Sequence, residues 1–311
     1  MHHPPSDRIP DTTLTMITIS NETLKISLYA PDSVKGYYRG TRFDKAGVFE
    51  GIRYKGCNYT EEWFETYSPE MHDAVRGPAE EFSPIGLEEA KAGDAFLKIG
   101  VGMLERPDDS PYDRFRLHRI VDEGIRNTEV SEDRVRFTHR IDSASGYGYE
   151  YIKDIVLESG NSFSIRHILK NTGSKHLKGD VYNHNFFTLG LLQTGPSRLM
   201  DFPFRPEGDW RAEYSEVGFT ESGIRFTREL KKGESVYTGN LHQAGCGTDG
   251  SPNSFELKET QTGRGVRMSC PVPMTKTVFW SNYRIACLEP YIDFDIRPGE
   301  TFGFMINYTL I

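Results

Sequence analysis

The chain has 311 residues, of which 37% are hydrophobic and 12% are aromatic, so it can bury one large core or two modest ones. Its formal net charge of -8 and the lack of a long basic tract argue against nucleic acids and anionic membranes as partners. No run of about 18 apolar residues predicts a membrane span.

Four cysteines stand far apart and form no CxxC pair: Cys57, Cys246, Cys270 and Cys287. This spacing fits neither a zinc ribbon nor a dense disulfide framework, so we expect reduced, mostly buried thiols. The amino terminus lacks the apolar stretch of a secretory signal. We therefore expect a cytoplasmic protein, although a signal that had already been removed would leave no trace.

Residues 1–20 are expected to form a leader outside the folded domain. The first seven residues (MHHPPSD) are polar and rich in proline, and residues 15–18 (TMIT) resemble the start of a cloning-vector β-galactosidase fragment. Two interpretations stay open, an artificial leader and a natural disordered arm. Neither is expected to carry function.

From residue 21 onward the sequence predicts strands and turns. Apolar and polar residues alternate in short runs such as 134–138 (RVRFT) and 163–169 (FSIRHIL), and turn signals such as 231–234 (KKGE) recur at short intervals. No stretch shows convincing helical periodicity, and no composition break divides the chain. We therefore predict one all-β domain over residues 21–311, a large antiparallel β-sandwich.

Two early segments combine residues that could bind a polar ligand. Residues 37–44 (YYRGTRFD) mix aromatic rings with Arg42 and Asp44, which suits stacking on a ring and hydrogen bonding to hydroxyls; a twisted strand with surface charges is the alternative. Residues 71–82 (MHDAVRGPAEEF) place His72 and Glu81 in a glycine-proline loop, which either carries function or is a solvated connection. The paired glutamates of this loop could also hold a cation such as calcium.

The segment 181–187 (VYNHNFF) sets His184 between two asparagines in a strand-like aromatic run. Alternation places His184 on one face of the strand, with Asn183 and Asn185 on the other. In a solvent-filled cleft His184 can act as a general acid near neutral pH, because its unperturbed pKa is about 6.5. In a core it would be a satisfied polar residue whose tautomer the asparagines hold.

Two candidates lie near the carboxyl end, Trp280 in the segment 279–282 (FWSN) and Glu289 among apolar neighbours. Glu289 is either buried with a raised pKa, as a general base would be, or on the polar face of an edge strand that Pro290 stops. The residues alone leave both interpretations open.

Together these segments resemble the galactose mutarotase (aldose 1-epimerase) superfamily, and more narrowly a bacterial branch of mutarotase-like proteins. The resemblance runs from about residue 25 to the carboxyl terminus. It is strongest in residues 181–187 and weakest at His72, which lacks the Leu-His-Gly-Gly setting of typical mutarotases. It implies a supersandwich of two large, mostly antiparallel sheets with a sugar lying across one concave face.

The resemblance also implies roles for single residues. His184 matches the family's general acid, Glu289 its general base, and Arg42 the arginine that binds sugar hydroxyls. Glu289 would take the proton of the C1 hydroxyl while His184 protonates the ring oxygen, with no metal or cofactor. The further candidate substrate-binding residues are His72, Asp44, Glu81, Asn185 and Trp280. An additional sugar-binding aspartate has no clear match, although Asp201 and Asp249 are available.

Three functions stay open for a small-molecule carbohydrate partner. The first is aldose 1-epimerase-like isomerisation. The second is hydrolysis or elimination on a lactone or glycoside, with or without a metal, and the third is carbohydrate binding without catalysis. The sequence assigns neither the oligomeric state nor the substrate, although Arg39, Arg42 and Arg76 could hold a phosphate or carboxylate.

Overall fold

The computed structural model describes residues 14–142, 145–244, 254–272 and 274–311. These residues contain strands and connecting turns but no α-helix. Every strand pairing among them is antiparallel, as alternating runs separated by short turns predict. The all-β prediction is therefore confirmed.

The strands, in chain order, are β1 (Met16–Ser20), β2 (Leu24–Tyr29), β3 (Val48–Tyr54), β4 (Cys57–Asn58), β5 (Gly77–Phe82), β6 (Ala95–Lys98), β7 (Gly102–Glu105), β8 (Ile120–Asp122), β9 (Ile125–Val130), β10 (Arg134–Asp142), β11 (Gly148–Leu157), β12 (Ser162–Asn171), β13 (Leu177–Phe186), β14 (Arg198–Asp201), β15 (Pro206–Trp210), β16 (Val217–Phe219), β17 (Gly223–Phe226), β18 (Ser235–Gln243), β19 (Ser254–Glu259), β20 (Arg264–Ser269), β21 (Lys276–Asn282), β22 (Ala286–Ile296) and β23 (Thr301–Leu310).

Two large sheets form the sandwich. One has ten strands in the order β16-β17-β14-β19-β20-β23-β12-β11-β10-β9, and the other has six in the order β15-β18-β21-β22-β13-β5. Strands β1 to β4 and β6 to β8 form two smaller sheets. The predicted large antiparallel β-sandwich is confirmed, and β13 and β22, the strands of His184 and Glu289, lie side by side inside the six-stranded sheet.

The core lies between the two large sheets. Phe82 of β5 packs edge-to-face on Tyr151 of β11, with ring centroids 5.3 Å apart. Along β12 the buried side chains Ile165, His167 and Leu169 alternate with the exposed Arg166, Ile168 and Lys170, which is the pattern that the sequence run 163–169 predicts. Burial of each such large apolar side chain contributes about 1.5–3 kcal/mol.

A buried ionic cluster also joins the two sheets. Glu80 of β5 accepts hydrogen bonds from Lys153 of β11, from His167 of β12 at 3.1 Å and from Asn183 of β13 at 2.8 Å. Burial alone would raise the pKa of Glu80, but Lys153 and His167 outweigh burial and lower this pKa to about 2. Asp44 belongs to the same cluster, with its Oδ2 3.5 Å from Lys153 Nζ. Asp44 is therefore a structural counter-ion here and not part of a ligand pocket.

The small sheet of strands β1 to β4 includes residues 16–20, which the sequence predicts to be part of the leader. Strand β1 pairs with β2 from Met16↔Tyr29 to Ser20↔Lys25, and Ile19 is buried in the core. The apolar alternation of Ile17 and Ile19 decides this pairing. Residues 1–13 lie outside the described residues.

Cys270 and Cys287 are buried and Cys57 is half-buried, and all three are free thiols. Cys246 and Asp249 lie outside the described residues. Among the residues that the structure describes, no helix has the length and apolar character needed to cross a membrane.

Candidate active site

His184 and Glu289 meet on neighbouring strands. The strand register pairs Tyr182 with Tyr291, and two residues further along each strand stand His184 and Glu289 on the same face. The imidazole Nε2 lies 3.3 Å from the carboxyl Oε1, and both side chains are buried. Strand β22 continues through Pro290 between two partner strands, so the edge-strand alternative for Glu289 is wrong.

Alternation along β13 separates His184 from its two asparagine neighbours, as predicted. Asn183 faces the core and donates to Glu80. Asn185 also faces the core, where its Nδ2 donates to the carbonyl oxygen of Leu288 at 2.7 Å. The asparagines therefore do not hold the His184 tautomer, and Asn185 is not positioned to bind a substrate because its amide is used inside the sheet.

Aromatic rings fix the orientation of the His184 imidazole. It stacks on Phe186 with ring centroids 3.8 Å apart and an interplanar angle of 9°. Phe186 in turn stacks on Trp63, and Trp280 meets the imidazole edge-on at 5.5 Å. Within the described structure His184 Nδ1 has no hydrogen-bond partner. Packing against these aromatic rings therefore holds the imidazole with its Nε2 toward Glu289.

The buried pair holds its titratable groups in their uncharged forms. Burial, and then Arg42 and Arg114, lower the pKa of His184 well below its usual range. Burial raises the pKa of Glu289 to about 8, although the two arginines oppose this shift. Near neutral pH the titratable proton of the pair thus lies on Glu289, and His184 is a neutral imidazole.

A pocket of about 310 Å³ opens over this pair. Its size is near the lower end of small-molecule sites, which span about 300–1,000 Å³ and suit a ligand such as a monosaccharide. Three of the predicted binding residues, Arg42, His72 and Trp280, line it with His184 and Glu289. The other lining residues are Trp63, Asp73, Arg114, Phe115, Phe186, Arg211, Tyr237 and Tyr291. Larger depressions of about 610 and 870 Å³ near Tyr147 contain no comparable buried acid–base pair.

No protein-family model and no curated protein matches this sequence. Solved structures do match. Galactose mutarotase-like proteins from Lactobacillus casei ATCC 334 and Clostridium acetobutylicum superpose with TM-scores of 0.56 and 0.57 at 13% and 11% identity. These matches cover 96% of this chain and 100% of that chain for the first, and 98% and 97% for the second. An Escherichia coli K12 protein provisionally assigned as an aldose 1-epimerase matches with a TM-score of 0.60, 13% identity and coverage of 96% and 99%.

The chain has the galactose mutarotase-like fold. At these identities the similarity shows the fold alone, so the chemistry of the site has to be argued from its own residues.

In this mutarotase-like fold, Glu81 lies beneath the pocket and holds Arg42 in place. Arg42 Nε donates to Glu81 Oε2 at 2.8 Å, and Arg42 Nη2 donates to the Tyr182 hydroxyl at 2.9 Å. Lys98 and Arg114 approach the same carboxylate at 3.4 and 3.6 Å. Burial would raise the pKa of Glu81, but these cations outweigh it and lower the pKa to about 2. Glu81 therefore orients the pocket arginine and does not line the pocket itself.

The paired glutamates do not form one cation site. Glu80 and Glu81 belong to strand β5, where a loop was predicted, so their side chains point to opposite faces of the sheet. Each is already paired with cationic groups, Glu80 with Lys153 and Glu81 with Arg42. Across the described residues no group of three or more His, Cys, Asp and Glu side chains is arranged to hold a metal ion.

Residues 37–44 form a buried irregular segment of the mutarotase-like fold and not a strand, which lets Arg42 reach the pocket. Arg39 instead pairs with Glu70 at 3.2 Å, and Arg76 donates to the Tyr29 hydroxyl. Neither of these two arginines lines the pocket. Asp201 lies in β14 of the opposite sheet, where it pairs with Arg225.

Sequence reasoning missed five of the pocket residues, Trp63, Arg114, Phe115, Arg211 and Tyr237. Arg114 and Phe115 come from the irregular segment between β7 and β8, where residues 111–116 (PYDRFR) repeat the mixture of aromatic, arginine and aspartate residues seen in 37–44. This repeated composition is the sequence feature that could have identified Arg114 and Phe115 as pocket residues. No comparable pattern marks Trp63, Arg211 or Tyr237.

Proposed function

We propose that the protein is an aldose 1-epimerase-type isomerase that interconverts the anomers of a monosaccharide. One observation carries the proposal. A buried imidazole and a buried carboxyl group lie 3.3 Å apart at a pocket of about 310 Å³, on a scaffold with the galactose mutarotase-like fold.

Anomer exchange requires two proton transfers. One group takes the proton of the C1 hydroxyl while another protonates the ring oxygen, and the ring opens to an aldehyde. The C1–C2 bond then rotates, and the ring closes with the two transfers reversed. Each positioned acid or base contributes roughly 10²–10⁴-fold to the rate. His184 and Glu289 supply one group of each kind within reach of a single hemiacetal.

The resting charges support a starting state with the proton on Glu289. From this state His184 takes the C1 hydroxyl proton and Glu289 protonates the ring oxygen, which leaves an imidazolium beside a carboxylate. Ring closure then uses His184 as the acid and Glu289 as the base. The sequence predicts Glu289 as the base on the C1 hydroxyl and His184 as the acid on the ring oxygen. The raised pKa of Glu289 and the lowered pKa of His184 support the opposite assignment, in which His184 serves the C1 oxygen and Glu289 the ring oxygen.

The pocket walls support sugar binding. Arg42, fixed by Glu81 and Tyr182, can donate to ring hydroxyls from a constant direction. Trp280 and Phe115 present aromatic surface to the pocket, which suits the apolar face of a pyranose.

Polarimetry of a freshly dissolved single anomer tests the proposal. Wild type should accelerate the change in rotation, and Glu289→Gln should reduce kcat/KM by at least about 100-fold. Glu89→Gln is the matched control because Glu89 is an exposed partner of Lys175 that does not line the pocket. Equal activity of the two variants would contradict the proposal.

A further inference from the structure

Three tyrosines beside the acid–base pair pack in one cluster, Tyr182, Tyr237 and Tyr291, and the last two line the pocket. A cationic side chain lies over each of the three rings. The guanidinium of Arg114 lies 5.8 Å from the Tyr182 ring centroid, that of Arg211 lies 5.9 Å from Tyr237, and the amine of Lys276 lies 4.1 Å from Tyr291. Such contacts hold a cation in place without neutralising its charge.

This cationic patch lies one step along the sheet from the reacting groups. Tyr182 and Tyr291 stand two residues from His184 and Glu289 on the same strand face, a separation of roughly 7 Å along each strand. Arg211 lines both the pocket and a neighbouring depression of about 500 Å³, which Lys276 also lines. A hexose with C1 at the acid–base pair would thus extend its far end toward these cations.

The local charges do not balance. Arg42, Arg114 and Lys98 share the single carboxylate of Glu81. In the described part of the chain, no carboxylate lies within ion-pair distance of Arg211 or Lys276.

Three carboxyl groups lie near these cations, Asp180, Asp209 and Asp293, and among the described residues none of them forms an ion pair with Arg211 or Lys276. Asp209 accepts a hydrogen bond from Asn240, and Asp293 accepts one from Thr275. Glu289 is protonated near neutral pH because burial raises its pKa to about 8. At the end of the pocket away from C1, Arg211 and Lys276 thus have no ion-pair partner among the described residues, and their charged donors are available to a ligand.

We propose that the substrate of this site is an acidic monosaccharide whose carboxylate or phosphoryl group is bound by Arg114, Arg211 and Lys276. Guanidinium groups bind both oxyanions through paired, charge-assisted hydrogen bonds. The inference rests on the proposed function for the reaction, but the preference in binding is independent of it.

Kinetics on three matched sugars test the preference: glucose, glucuronate and glucose 6-phosphate. An acidic sugar should be turned over with a kcat/KM at least about tenfold above that of glucose. Arg211→Gln and Lys276→Met should each raise KM for the acidic sugar by about tenfold, keep kcat for that sugar, and raise KM for glucose by a clearly smaller factor. Arg205→Gln is the matched control, since Arg205 is an exposed arginine that pairs with Glu221. Added salt should reduce the preference.

Calorimetry with the same sugars separates this inference from the proposed function. Tighter binding of an acidic sugar without anomer exchange supports the inference and contradicts the proposed function. Exchange of glucose at least as fast as of both acidic sugars supports the proposed function and overturns the inference. Binding of none of the three sugars overturns both. Whichever acidic sugar is preferred identifies the group as carboxylate or phosphoryl.

Discussion

Asn185 Nδ2 donates a hydrogen bond of 2.7 Å to the carbonyl oxygen of Leu288. Asn185 follows His184 and Leu288 precedes Glu289, so this bond joins β13 and β22 directly beside the acid–base pair. The hydroxyl of Tyr308 donates to Asn185 Oδ1 at 2.8 Å and fixes the orientation of the amide. A core side chain thus positions the two reacting groups of the pocket face.

Asn185→Ala should lower both stability and turnover. The substitution leaves the Leu288 carbonyl and the Tyr308 hydroxyl unpaired in the core, which costs about 1–3 kcal/mol of unfolding free energy. It should also lower kcat more than it changes KM, because Glu289 loses its support. Urea unfolding and anomer-exchange kinetics measure the two effects. Asn183→Ala removes an amide from the same strand face and should keep kcat; an unchanged kcat in Asn185→Ala would show that the bond has no positioning role.

The pH profile of kcat/KM should be flat near neutral pH and should fall above about pH 8. Below that pH Glu289 holds the proton that the ring oxygen needs, because its pKa is raised to about 8. Above it the pair has no proton to donate, since the pKa of His184 is well below its usual range. Rate measurements in overlapping buffers check this. Activity that rises through pH 8 would instead mean that Glu289 must start as the base.

Stability should depend on the same proton. The folded-state pKa of Glu289 lies above the ordinary value of a glutamate, so its contribution is fully present below about pH 4.5 and is lost as pH rises toward 8. Glu289→Gln cannot ionise and should lose less unfolding free energy than wild type between about pH 6 and about pH 9. Parallel losses in both proteins would show that Glu289 is not the titrating group.

Glu81→Gln should destabilise the fold by about 3–5 kcal/mol, because it leaves Arg42 and Lys98 without their buried counter-ion. Urea unfolding measures the change. Glu89→Gln removes a carboxylate from an exposed pair and should cost at most about 1 kcal/mol. Equal effects of the two substitutions would contradict the role assigned to Glu81.

Phe115→Ala should weaken substrate binding without weakening the fold. The Phe115 side chain is 57% exposed and lies against His72 and Arg42 at the pocket. Its removal should raise KM by about three- to tenfold and change the unfolding free energy by less than about 0.5 kcal/mol. Leu117→Ala, an exposed residue of the same segment, should leave KM unchanged. A KM effect of equal size in both variants would assign it to the segment rather than to the ring.

The sequence predicted those parts of the molecule that depend on local alternation. The period of two along 181–187 placed His184 and the asparagines on opposite faces of β13, and apolar neighbours indicated that Glu289 could be buried. Short alternating runs with frequent turns gave the antiparallel sandwich. In these cases the physical cause lies within about ten residues of the feature it determines.

The parts that were missed depend on contacts between distant segments. In the sequence Glu80 and Glu81 resemble solvated loop residues, because the cations that pair with them in the folded protein, Lys153 and Lys98, come from other strands. Arg211 enters the pocket from an exposed stretch after β15 that has no motif of its own. Such pairings become visible only when the strand order is known.

Anomer exchange measured by NMR on aldoses, uronic acids and sugar phosphates tests the central claim most directly. Wild type should accelerate exchange of at least one sugar, and His184→Ala should lose at least about 100-fold of that rate. His176→Ala is the control, because His176 is an exposed partner of Asp295. Correctly folded wild-type protein that accelerates no sugar, or a His184→Ala variant as fast as wild type, would contradict the account.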